Sequence, residues 1–169
     1  MNDLCRLKDK LCRELAQSER SATVHTRREA RRLGEGAPAN ALVAIAEHAE
    51  AQRPRFEALR GSKQRLGMRA GSFIGRALSR FRQLLLDKIV DVERSYRGTL
   101  LGLHHGVGIV RLLAEVASRD GDRALYEFLQ EWLAVRRELV ERAEQALAWF
   151  AQRPSRSVQS GLRQALQDT

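Results

Sequence analysis

Helix breakers, cysteines and aromatic residues are all scarce in this 169-residue chain, which has three Pro, two Cys, five Phe, two Trp and two Tyr. Together with abundant Ala, Leu, Arg and Glu, that scarcity favours helix over sheet. Cys5 and Cys12 lie seven residues apart, on one face of a helix, where they cannot reach each other to bridge. No second pair completes a zinc site, so they read as small buried hydrophobes, with an intermolecular disulfide the minor alternative. No run approaches 18 uninterrupted apolar residues, and the charged start MNDLCRLKDKLCREL lacks the apolar centre of a signal peptide. No transmembrane segment and a cytoplasmic location are therefore expected.

Catalytic signatures are lacking too. There is no Gly-x-Ser-x-Gly elbow and no phosphate loop, and GVGIVR follows no strand, so it is not a dinucleotide fingerprint. Tyr96, between Glu93 and Arg97, fits a core aromatic with a bonded hydroxyl better than an acid. The reading leans away from an enzyme, and no cofactor is expected.

What the chain does carry is helical periodicity. Asp3 can cap a first helix over residues 1–33 with a seam of Leu4, Leu7, Leu11 and Leu15. Past Gln17 the pattern thins to Val24, Ala30 and Leu33 among charges. Gly34-Glu35-Gly36-Ala37-Pro38 reads as a stop and restart, and a second helix over 38–60 buries Leu42, Ile45, Ala46 and Ala49. Residues 61–72 read as a basic connector. A long third helix over 73–118 would run roughly 65–70 Å at 1.5 Å per residue. Arg119-Asp120-Gly121 makes a turn, and Asp122 caps a helix over 122–152 striped with Leu125, Phe128, Leu129, Trp132, Val135, Leu139 and Ala143. A short tail helix over 155–169 closes the chain. The fold class is all-α: a single-domain antiparallel bundle of about four helices, with a long third helix and a short C-terminal one.

Gly98, Gly102 and Gly106 sit four residues apart inside that third helix, where each glycine costs about 1 kcal/mol relative to alanine. Close approach of a neighbouring backbone would offset the cost, so these three are the expected close-packing site. Beside them, His104 and His105 diverge by about 100° and cannot hold one ion together. With His48 and Glu93 they are the candidate ligand or metal residues. A ferritin-like two-metal site needs Glu-x-x-His pairs, and no Glu precedes a His by three.

Charge is lopsided. Of the net +9, residues 53–82 hold nine basic side chains (Arg53, Arg55, Arg60, Lys63, Arg65, Arg69, Arg76, Arg80 and Arg82) against one acid, Glu57. Such a field attracts nucleic acid or another polyanion in a salt-sensitive way. No recognition helix or stacking platform accompanies it, which argues against sequence-specific binding. The leading expectation is a non-enzymatic interaction or scaffold protein that self-associates as a homodimer, with a possible further protein partner. Low-specificity polyanion binding is the alternative, and a bundle holding a small ligand or metal comes third.

Overall fold

A computed structural model describes residues 3–60 and 91–158. Four long helices make an all-α bundle: α1 (Asp3–Leu33), α2 (Ala37–Arg60), α3 (Val92–Arg119) and α4 (Arg123–Gln145). Two single turns follow, α5 (Ala148–Ala151) and α6 (Pro154–Ser157). The part of the long third helix expected before residue 91, the 61–72 connector and most of the tail helix lie outside the described residues. The fourth helix ends earlier than expected, at Gln145, where the chain turns before α5.

The turns are written in glycine. Gly34, at φ +72°, closes α1 and donates to the Ala30 carbonyl at 3.1 Å. Gly121, at φ +71°, closes α3, after which the Asp122 amide reaches back to Ala117 at 2.9 Å. Left-handed backbone of this kind is the usual end of a helix and favours glycine. Asp122 then caps α4 by accepting from the Leu125 amide at 3.3 Å, as the sequence implied. Lys8 of α1 lies over this turn, bonded to Asp120 and to Asp122, the latter at 3.1 Å. Pro54 does not break α2, which runs on to Arg60.

α1 packs on α2 and α3, and α4 packs on α2 and α3. The four therefore form a ring in the order α1, α2, α4, α3. Neighbours run antiparallel: His48 meets Arg136 while Arg55 meets Glu131, and a side chain at Gly106 would meet Ser18 while Ser95 meets Glu29. It follows that α2 and α3 are parallel, on one diagonal of the ring, so Arg60 and Asp91 lie at opposite ends of the bundle. The described helices thus make a four-helix ring in which α2 and α3 are parallel.

The core is filled by Leu15, Leu42, Ile45, Tyr96, Val110, Leu113, Leu129 and Trp132, all within 2% of full burial. Tyr96 packs on Phe150 and donates its hydroxyl to the Ala143 carbonyl at 2.7 Å. That carbonyl belongs to the last turn of α4, where helical carbonyls lack helical partners. Burial pushes the phenol well above its ordinary range, so Tyr96 is a structural donor rather than an acid.

α3 is long and apolar enough to cross a bilayer by composition, with a mean hydropathy of 1.3 in its best window, although no uninterrupted apolar run occurs. In the bundle 56% of that window is buried, as in the central helix of a globular core.

Candidate functional site

Two features stand apart from ordinary core packing. The first is a polar cluster on the bundle axis. Glu19 of α1 and Arg136 of α4 belong to diagonally opposed helices and meet at 2.9 Å, with side chains only 8% and 2% exposed. The same Glu19 oxygen accepts from the Trp132 indole at 3.1 Å, and the Arg136 Nε donates to His48 Nδ1 at 3.1 Å. Arg136 also lies 4.6 Å from the Trp132 ring centroid, within cation–π range. Burial pushes the Glu19 carboxyl up, opposed by the Arg136 charge and the two hydrogen bonds. Burial, reinforced by Arg136, pushes the His48 imidazole down to about 4. His48 is thus neutral near pH 7, with Nδ1 as acceptor and its N–H on Nε2. The cluster ties two helices that otherwise touch little, which fixes their register.

The second feature is the outer side of α3. Here the close-packing expectation is corrected. A Cβ built on Gly98 or Gly102 would meet nothing within 4 Å among the described residues, and both glycines are exposed. Gly106 is buried, but a Cβ there would come 2.7 Å from the Ser18 hydroxyl, a side chain rather than a main chain. α3 docks instead through Tyr96, Leu100, Leu103, Val107 and Val110, on its opposite side. Gly98 and Gly102 border a groove of about 700 Å³ between α1 and α3, with Ser18, Ser21 and Thr26 on its other wall and Arg136 among its lining. Next to the groove, Leu101 is 74% exposed and Leu112 48% exposed.

The remaining sequence candidates scatter. His104 bonds Glu144 of α4 at 2.8 Å on the surface, while His105 borders the groove. Glu93 pairs with Arg97 one turn along α3. With His48 committed to Arg136, the four proposed ligands do not converge. No group of three or more His, Cys, Asp or Glu side chains suited to a metal occurs among the described residues. Cys12 is buried, which raises its thiol to about 11, and Cys5 is half-buried; both are free thiols.

Of the basic stretch, Arg53 is exposed. Arg55 is engaged with Glu131 at 2.7 Å and lies over Phe128, and Arg60 lies over Phe56. Lys63, Arg65, Arg69, Arg76, Arg80 and Arg82 lie outside the described residues.

Glu19 and Arg136 were not among the expected site residues. The stripe assigned to α4 placed Val135 inside, yet Val135 is 45% exposed and Arg136 takes the buried position. The signal was one of phase. Leu125, Leu129, Trp132, Arg136, Val140 and Ala143 advance in steps of four and three, as do Leu15, Glu19, Ala22, Thr26, Glu29 and Leu33 in α1. A charge in phase with a core stripe on two helices marks a buried pair.

No protein family, no curated protein and no solved structure matches this chain.

Proposed function

We propose that this protein is a non-enzymatic interaction module that presents the outer face of α3 to a partner helix. The observation that carries this reading is the pairing of exposed leucines with exposed glycines on a helix that is otherwise core. Leu101 and Leu112 are solvent-facing, and Gly98 and Gly108 are solvent-facing with no neighbour that a Cβ would touch among the described residues. Each such glycine costs the helix about 1 kcal/mol. Nothing among the described residues of the bundle requires them, whereas a partner backbone lying against the face would. The polar cluster supports the same reading: Glu19, Arg136, Trp132 and His48 Nδ1 are bonded to one another, and a register-fixing role is the best-attested use of a buried ion pair.

A photo-crosslinking amino acid at position 101, compared with one at exposed Arg137 of α4, tests the reading in cells. Adducts to another polypeptide from 101 and not from 137 are the expected result. Equal, background-level adducts from both positions overturn it.

Polyanion binding is the second reading, supported by the net charge of +9 and the nine basic residues of 53–82. Titration of labelled DNA and RNA at two salt concentrations separates the two, since absence of binding at low salt removes it.

A further inference from the structure

The outer face of α3 has a regularity that commits it to one occupant. Starting at Asp91 and stepping alternately three and four residues, the face runs through Arg94, Gly98, Leu101 and His105. It continues through Gly108, Leu112 and Glu115 to Arg119. All nine positions are exposed. Steps of three and four follow one face of a helix, and on this face Leu101 and Leu112 are the large apolar residues, set among Gly98, His105 and Gly108. The Asp, Glu and Arg side chains of this face fall only at its two ends.

We infer that the seam pairs with the same seam of a second copy of this chain, antiparallel, about a two-fold axis passing beside His105. This inference rests on the interaction reading above and names the partner. Two-fold association is isologous, so the patch must complement itself. About an axis at His105, Gly98 lies level with the partner's Leu112, seven residues to either side. Leu101 lies within one residue of the level of the partner's Gly108. Each leucine therefore faces a glycine, and a bulky side chain meets a position with no side chain. The ends match in charge by the same rule: Asp91 is level with the partner's Arg119, and Arg94 falls within one residue of the level of the partner's Glu115.

None of those four charges has an ion-pair partner among the described residues. A parallel pairing would set each residue against itself, arginine on arginine and glycine on glycine, which leaves voids and repulsion. The exposed glycines, costly in the lone helix, acquire a purpose only in the antiparallel pair.

Sedimentation equilibrium of the full chain near pH 7.5 tests this with three variants. The wild type is expected to be a dimer at about 100 μM, the concentration at which even a weak specific interface is populated. Gly108→Leu, which fills the hole opposite Leu101, is expected to be monomeric. Its melting temperature should not fall below that of the wild type under dissociating dilution, because a Cβ at Gly108 meets nothing within 4 Å among the described residues of the single copy. Arg94→Glu should weaken the dimer roughly tenfold, since it reverses two symmetry-related end contacts. The double variant R94E/E115R should recover most of that loss.

A monomeric wild type, a Gly108→Leu protein that dimerises as tightly as wild type, or a double variant no tighter than Arg94→Glu alone would each overturn the inference. If the wild type is monomeric while position 101 still crosslinks to a different polypeptide, the interaction reading survives and only the identity of the partner is wrong.

Discussion

Removing one member of the axial ion pair should be far more harmful than removing both. In Glu19→Leu the Arg136 guanidinium, 2% exposed, loses the carboxylate 2.9 Å away, and the Trp132 indole loses its acceptor. An uncompensated buried charge costs about 3–5 kcal/mol. Arg136 borders the groove, which gives water a route to it and puts the cost near the lower end, about 3 kcal/mol. Arg136→Leu strands the carboxylate instead; Glu19 then takes up a proton more readily, so its cost should be somewhat smaller and should shrink as pH falls. The double variant E19L/R136L leaves no charge behind. Its residual cost is the unpaired Trp132 N–H and the His48 Nδ1, about 1–3 kcal/mol together. Urea unfolding followed by tryptophan fluorescence and far-ultraviolet circular dichroism measures all three variants. If the double variant is destabilised by the sum of the two singles, the pair is not the coupled unit described here.

His48 carries a pH signature. Its folded-state pKa lies near 4, below the unfolded value of about 6.5, so its contribution is present above pH 6.5 and is lost as pH falls through 4. Allowing for partial exposure of the ring, the wild type should lose about 1–2 kcal/mol more than His48→Gln between pH 7 and pH 4, read from urea midpoints at each pH. Tyr96→Phe strands the Ala143 carbonyl and should cost about 1–2 kcal/mol by thermal or chemical unfolding. Gly102→Ala, exposed and off the nine-residue seam, should stabilise the protein by about 0.5–1 kcal/mol; a loss of stability would show that an intramolecular neighbour had been overlooked. Gly36→Ala should do the reverse and cost more than about 1 kcal/mol, because Gly36 sits at φ +134° and a Cβ there would approach the Trp149 indole nitrogen to 2.9 Å.

The fold was legible where periodicity and turn chemistry agreed. Leu42, Ile45 and Ala49 in α2, and the Gly121–Asp122 turn before α4, sit where spacing and capping placed them. The core stripe of α3, with Tyr96, Leu103, Val107 and Val110, was legible; what the residues alone did not reveal was what its glycine face lies against. Gly98 and Gly102 carry the small-residue spacing of a tight helix contact, but spacing cannot distinguish a contact within the chain from one beyond it. In the bundle the larger apolar surface of Tyr96, Leu100, Leu103 and Val110 takes the core side and turns the glycines outward. The axial cluster escaped for a different reason. Glu19 and Arg136 drew no reading of their own, because charged side chains seldom enter a core stripe unpaired, although their positions in the 3–4 rhythm put them inside. Mutual neutralisation across the bundle, with Trp132 and His48 supplying the remaining bonds, is what makes that burial tolerable.

A cysteine at position 105 puts the self-pairing of α3 to the most direct test. In a Cys5→Ser/Cys12→Ala background, His105→Cys places the new thiol beside the two-fold axis, next to its own counterpart in the second copy. Mild oxidation should convert most of the protein to a disulfide-linked dimer, while the same background carrying Arg137→Cys should stay largely monomeric. Slow, concentration-driven crosslinking that is no faster at 105 than at 137 would contradict a dimer built on this face.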